Sequence, residues 1–237
     1  MIEFDNTVLV IAASMAGPAL PGKPMLDVNG KPLVVRAIEG AEAAKLGKVL
    51  VATTEYKVAE AVRASGHDAL VAPGRKQAPS DMAAAVLAMR DRERQFIHVL
   101  VYSCSLAAVP GLDLSRCLAG LINKEVDFAT LAAADGKGRV KAVARLSAER
   151  EVAYLRDLAP LVLGEDAYAH VPVIAWRREA LEKFATLAAS PREQAVASEI
   201  PRALAAGLRC AAVKVDSTPL TVDTASDLET IRRLMKA

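Results

Sequence analysis

Thr7-Val8-Leu9-Val10-Ile11-Ala12 is apolar at odd and even positions alike, so a strand here needs cover on both faces. Such strands belong to parallel sheets sandwiched between helices. The segment 13–24 after it carries two glycines and three prolines and reads as a loop. Asn29-Gly30 is the signal of a tight turn. Pro32 opens a helix to about Leu46, with Val34, Ala37, Ile38 and Ala41 on one face, and Gly47 stops it. Lys48 to Thr53 (KVLVAT) repeats the strand pattern. The unit strand–loop–helix–strand sets the rhythm of the first half of the chain.

Further along, Glu55 to Ser65 reads as a helix with Val58 and Val62 inward, Asp68 to Ala72 as a short strand, and Ser80 as the cap of a helix to about Arg90. Ile97 to Tyr102 is a fourth strand and Leu114 to Lys124 a helix. The rhythm then changes. Asp127 to Ala134 and Arg139 to Leu146 read as two strands around Asp135-Gly136-Lys137-Gly138, a hairpin turn. Residues 151–170 carry no clear period. Val171 to Trp176 is a strand, followed by helices at about 178–188 and 193–206, and by a strand from Cys210 to Val215. The last helix starts near Thr224-Ala225-Ser226-Asp227, a capping-box pattern, and presents Leu228, Ile231 and Leu234 to the core. No repeat or long linker divides the chain, so residues 1–237 read as a single α/β domain.

Composition narrows the function. The 237 residues include 30 Lys and Arg against 28 Asp and Glu, a net charge of +2, and only 4% aromatics. That balance speaks against a nucleic-acid or membrane-surface partner. No apolar run approaches the roughly 18 residues of a membrane span. The opening Met1-Ile2-Glu3-Phe4-Asp5-Asn6 is acidic and unlike a signal or transit peptide. Cys104, Cys117 and Cys210 are odd in number and widely spaced, which implies neither disulfides nor a zinc site. A cytoplasmic location is the expectation.

The loop after the first strand is the first candidate site, because open parallel sheets bind ligands beyond the carboxyl ends of their strands. Gly17 to Lys23 spells G-x-x-x-x-G-K, the letters of a P-loop. Pro18 and Pro21 remove two amide donors from that cradle, and Pro24 stands where a metal-binding hydroxyl is required. Lys23 then reads either as an ammonium aimed at the sheet edge or as a solvated loop lysine.

The stretch Leu20-Pro21-Gly22-Lys23-Pro24-Met25-Leu26-Asp27-Val28-Asn29-Gly30-Lys31-Pro32-Leu33 resembles the start of the CMP-KDO synthetase family (3-deoxy-manno-octulosonate cytidylyltransferases), with its L-P-G-K-P-L and N-G-K-P. Val51-Ala52-Thr53 is similar to the family's V-A-T-D, and Val140-Lys141-Ala142-Val143 to its V-K-V-V. Ser190-Pro191-Arg192-Glu193 with Glu199 and Arg202 matches its S-P-L-E and E-Q-L-R. Val222-Asp223-Thr224-Ala225-Ser226-Asp227-Leu228 resembles its V-D-T-P-E-D-L. The likeness is collinear over nearly the whole chain.

This resemblance implies an α/β fold of the three-layer α/β/α nucleotidyltransferase (GT-A-like) type with a mostly parallel mixed sheet, and a homodimer. It implies CTP and the sugar acid KDO as partners, pyrophosphate as co-product, magnesium as cofactor, and a place in lipopolysaccharide biosynthesis. It assigns Lys23 to the triphosphate, Asp223 to magnesium, Gln77 and Ser103 to base or ribose, and Lys141 and His170 to the sugar acid. Ser14 and Gly22 belong to the same substrate-binding loop. Asp223 reads equally as a favourable charge at a helix start.

The sequence departs from the family pattern at several of these places. Ser14 and Ala19 stand at the two arginine positions of the family's P-A-R-x-x-S-T-R, and Ser105 at the magnesium-binding Asp of N-V-Q-G-D-E-P. Its Q-S-G-T-E-R becomes Gln77-Ala78-Pro79-Ser80-Asp81-Met82. A neutral hydroxyl is a weak ligand for a hard divalent cation. These departures lead to an expectation of eroded triphosphate and magnesium motifs, and of an inactive or repurposed binding or regulatory homologue. The alternative is a working cytidylyltransferase joining CMP from CTP to KDO or a related sugar acid. A third reading is an unrelated enzyme using Ser103, Cys104 or Ser105 as nucleophile.

Overall fold

The computed structural model describes residues 6–16, 20–73, 78–89, 95–136, 140–160 and 166–236. Two compact units emerge. One holds the described residues of Phe4–Phe96, Val101–Gly111 and Pro219–Ala237, the other chiefly Leu112–Thr218 with Ile97–Leu100.

In the first unit β1 (Thr7–Ala13) is buried at every residue, the consequence of its unbroken apolar run. It pairs in parallel with β4 (Lys48–Thr53), Val8 opposite Lys48 through Ala13 opposite Thr53, and β4 pairs in parallel with β5 (Ala69–Val71). Helices α1 (Leu33–Ala43), α2 (Tyr56–Ala64) and α3 (Pro79–Ala88) pack on these strands. α1 buries Val34, Ala37, Ile38 and Ala41 as its period requires. It ends earlier than its sequence suggests, because Lys45 takes a left-handed φ of 54° before Gly47. The strand order is β5-β4-β1-β6, where β6 (His98–Ser103) contributes its carboxyl half to this unit.

The short strands β2 (Asp27–Val28) and β3 (Lys31–Pro32) flank the Asn29-Gly30 turn, both of whose residues have positive φ, 53° and 83°. Mirror-image turns of this kind match the twist of paired strands, and glycine adopts such φ without a Cβ clash. The turn also anchors the chain's last helix, α8 (Ala225–Leu234). Arg232 donates from Nε and Nη2 to the Asp27 carbonyl at 2.9 and 2.8 Å, and Asn29 Nδ2 donates to the Arg232 carbonyl at 2.8 Å. The expected capping box at Thr224 and Asp227 is present. Leu228 and Ile231 are buried, but Leu234 is 58% exposed, one turn past the packed surface.

In the second unit the order is β6-β11-β7-β12-β9, with β8 paired to β11 and β10 paired to β8 on its other side. β7 (Phe128–Ala133) runs parallel to β12 (Cys210–Val215) and antiparallel to β11 (Ala167–Arg177). β8 (Lys141–Val143) pairs with β10 (Asp157–Ala159) and β11, not with β7, so the expected hairpin about residues 135–138 is not formed among the described residues. Asp135 instead accepts from the Thr218 N–H and hydroxyl at 3.0 and 2.7 Å. The aperiodic stretch 151–170 supplies β9 (Val152–Tyr154), β10 and the first half of β11. The register of β11 against β7 shifts between Val171 and Ile174, where Pro172 has no N–H to give the ladder.

α4 (Gly111–Ala119) stops where the chain approaches the sheet. A Cβ on Gly120 would lie 2.7 Å from Ala129 Cβ and 2.8 Å from Val213 Cγ2. Trp176, fully buried, stacks on Phe128 at 4.5 Å and packs on Phe184 of α5 (Arg178–Phe184) at 5.0 Å. The expected helix 193–206 is two helices, α6 (Pro191–Val196) and α7 (Ile200–Ala205), parted by the left-handed Ala197. Pro201 lacks the N–H a continuous helix would require of it.

Candidate active site

The residues singled out at the two ends of the sequence meet in the first unit. Gly22 takes a φ of 73° and starts a 3-10 turn over Lys23–Met25, its N–H donating to the Met15 carbonyl at 3.3 Å. This folds the loop back and aims the Lys23 side chain inward, leaving it 14% exposed. Its ammonium donates to Asp223 Oδ1 at 2.6 Å and to Ser105 Oγ at 3.0 Å.

Ser105 is positioned by a second 3-10 turn, Cys104–Leu106, directly after β6. Ser103 caps that turn by accepting from the Ser105 N–H at 3.2 Å, and its hydroxyl donates to Ser105 Oγ at 3.1 Å. α1 packs against this turn, and a Cβ on Gly40 would meet the Ala107 carbonyl oxygen at 3.2 Å, so glycine permits the close approach. The Ser105 carbonyl in turn accepts from Val222 N–H at 3.0 Å, which fixes Asp223 one residue later. Asp223 N–H and Thr224 N–H both donate to Asp227 Oδ2. Burial pushes the Asp227 carboxyl up, but the bonds from Thr224 and these backbone N–H groups, with the Lys23 charge, hold it below the usual carboxylate range.

Ala12 and Ser103, near the carboxyl ends of β1 and β6, line a cleft of ≈ 250 Å³ together with Ser14, Lys23 and Ser105. This is where an open sheet binds ligands. One ammonium amid three hydroxyls suits an anion such as a phosphate. Cys104 also borders the cleft, but burial pushes its thiol up to about 12 against the opposing influence of Lys23 and Ser103. A protonated, buried thiol is a poor nucleophile.

The magnesium implied by the resemblance is not matched by these residues. A hard divalent ion takes several oxygen ligands, preferably carboxylates. Asp223 Oδ1 already accepts from Lys23, and Ser105 Oγ accepts from both Lys23 and Ser103, which occupies its two lone pairs. Among the described residues no three His, Cys, Asp or Glu side chains converge.

Gln77 lies outside the described residues, as does Ala19. Lys141 and His170 belong to the second unit. Lys141 begins β8 and donates to the Gly136 carbonyl at 2.5 Å. His170 is buried in β11 with Nε2 3.0 Å from Thr130 Oγ1, and burial lowers its pKa to about 4. His98 is also buried, and burial, aided by the Arg177 charge, lowers its pKa. The Ser190–Arg202 motif is an ion pair: Arg202 Nε lies 3.2 Å from Glu193 Oε1, and its guanidinium sits 4.1 Å over the Phe184 ring.

The family profile described as cytidylyltransferase matches residues 8–184. The chain belongs to the cytidylyltransferase family. It is 37% identical to a 3-deoxy-manno-octulosonate cytidylyltransferase of Rhodopseudomonas palustris strain BisB5, covering 97% of each chain. It is also 37% identical to the enzyme of that name from Nitrobacter winogradskyi, over 98% of this chain and 94% of the relative. CMP:2-keto-3-deoxy-manno-octonic acid synthetase, solved with CTP, superposes with a TM-score of 0.82 at 27% identity, covering 97% of this chain and 98% of that one. The resemblance to CMP-KDO synthetases is therefore borne out, and so is the three-layer α/β nucleotidyltransferase fold with its mostly parallel mixed sheet. The expectation of an inactive, eroded homologue draws no support from these relationships. Whole-length kinship with named cytidylyltransferases fits a working member of the family at least as well. Among the described residues no helix is long and apolar enough to cross a membrane.

Proposed function

We propose that this chain is a working cytidylyltransferase that binds CTP in the Lys23 cleft and transfers CMP to KDO or a closely related sugar acid. The observation that carries the reading is the inward-facing Lys23 ammonium among Ser14, Ser103 and Ser105, in a chain related over its whole length to cytidylyltransferases. In the reaction the sugar's anomeric oxygen bonds to the α-phosphorus, the bond to the departing pyrophosphate oxygen breaks, and the hydroxyl proton leaves to solvent. Lys23 offsets charge on the triphosphate, and the serine hydroxyls orient it. The proposal includes the homodimer of the resemblance, which sedimentation would test.

The experiment is a pyrophosphate-release assay with CTP and KDO, in parallel with calorimetry for CTP. Pyrophosphate release that requires both substrates supports the proposal. Lys23→Ala is expected to weaken CTP binding by about 10- to 100-fold, since a charge-assisted contact contributes roughly 1.5–3 kcal/mol. CTP binding without pyrophosphate release would replace transfer with nucleotide sensing, the reading that the occupied lone pairs of Ser105 favour.

A further inference from the structure

We propose that Lys23 is the fixed cation of the cleft, standing where a divalent ion would otherwise bridge the Asp223 loop and the turn after β6, so that the site engages a triphosphate without a protein-held metal. The inference rests on the proposed function for its ligand, but its metal half stands on geometry alone. Lys23 Nζ reaches Asp223 Oδ1 at 2.6 Å and Ser105 Oγ at 3.0 Å, so one ammonium links the two positions to which the resemblance assigns magnesium ligands. Ser105 is 5% exposed, and Ser103 also donates to its oxygen. Asp223 is 60% exposed and keeps only its second oxygen clear of Lys23. An ammonium with three donors is held by this set, and a cation that needs several hard oxygens is not.

The replacement alters how charge changes on binding. A divalent ion adds two positive charges along with the nucleotide, whereas Lys23 is present beforehand. Its donors must then be shared between Asp223 and the incoming phosphate. Nucleotide affinity becomes a competition between two anions for one ammonium, and magnesium in solution acts only on the nucleotide.

Two measurements test this. First, free manganese is titrated with the full chain, without nucleotide, and followed by paramagnetic resonance. The wild-type chain is expected to leave the free-ion signal unchanged. The double variant Ser105→Asp with Lys23→Met, verified as folded by circular dichroism, is expected to bind manganese at least about tenfold more tightly, because two carboxylates then face one gap. A wild-type manganese site that Asp223→Asn abolishes overturns the inference, as does a folded double variant that gains nothing. Second, calorimetry measures CTP affinity in magnesium and in EDTA. Values within about threefold, or a loss in EDTA that Asp223→Asn shows equally, support it, and a tenfold or greater loss in EDTA that Asp223→Asn abolishes overturns it. If CTP binds in neither buffer, the proposed function fails and the manganese titration alone decides the inference.

Discussion

Lys23 Nζ lies 2.6 Å from Asp223 Oδ1, although 200 positions separate the two residues. Each end of that contact is built by local chemistry. The left-handed Gly22 turns the lysine inward, and the Val222 bond to the Ser105 carbonyl together with the Thr224–Asp227 box holds the aspartate. The Asn29-Gly30 turn, gripped by Arg232, fastens the helix after Asp223 to the strands after Lys23.

Asp223→Asn tests what that pair is for. With Asp223 60% exposed, the ion pair contributes at most about 1 kcal/mol to stability, so urea midpoints are expected to move little. The carboxylate also competes with phosphate for Lys23. Its neutralisation is therefore expected to strengthen CTP binding by about two- to fivefold, a change of up to about 1 kcal/mol. A carboxylate that served as a metal ligand would give the opposite sign. A tenfold loss of CTP affinity by calorimetry would sink the competition account.

Gly120→Ala addresses the packing of the second unit. The added Cβ would stand 2.7 Å from Ala129 Cβ and 2.8 Å from Val213 Cγ2, and both neighbours belong to paired strands that cannot simply swing aside. Overpacking of this kind costs about 1–3 kcal/mol. The expected result is a lower urea midpoint with an unchanged slope. A neutral result would mean that the α4 end shifts freely from the sheet.

Glu193 offers a sharper stability test. It closes the α6 capping box by accepting from the Ser190 N–H, and it faces Arg202, whose side chain is only 5% exposed. Glu193→Ala removes this carboxylate from the buried guanidinium that packs on Phe184, and the α6 capping bond with it. Breaking one side of a buried pair costs about 3–5 kcal/mol. Because Arg202 also donates to the Leu187 carbonyl, the lower end of that range is expected from urea unfolding.

These elements differ in how plainly the sequence announces them. β1 reads directly from Thr7–Ala12, because a six-residue run rich in β-branched residues and followed by a Gly/Pro loop suits a strand covered on both faces. The Asn29-Gly30 turn and the Thr224 cap are equally legible, since each depends on a few adjacent residues. β9 and β10 are three residues each, too short for a period, and are defined by their partners, β12 far along the chain for β9 and β8 for β10. Residues 135–138 carry hairpin chemistry, yet Asp135 finds Thr218 and β8 finds β11, a choice made by long-range pairing. Pro201 was a readable break in the 193–206 helix. In the site, Lys23, Ser103, Ser105 and Asp223 could be linked only through family motifs, because no local pattern joins positions so far apart. That one ammonium would bind both Asp223 and Ser105 has no sequence signal at all.

His170 makes the protein's stability depend on acid. Its ring is buried in β11, and the Thr130 hydroxyl donates to the Val173 carbonyl at 2.9 Å, which assigns the imidazole proton to Nε2 facing Thr130. Burial lowers its pKa to about 4, against an ordinary value of about 6.5. Between these values the unfolded chain binds a proton that the folded chain refuses, so stability rises with pH across that window. The contribution is therefore complete above about pH 6.5 and is lost as pH falls towards 4, amounting to roughly 3 kcal/mol. Urea unfolding of the wild-type chain from pH 7 to pH 4.5 should show this decline. A folded His170→Asn variant should show a shallower one, because asparagine does not titrate. If the two chains lose stability in parallel, the carboxylates rather than His170 set the acid sensitivity.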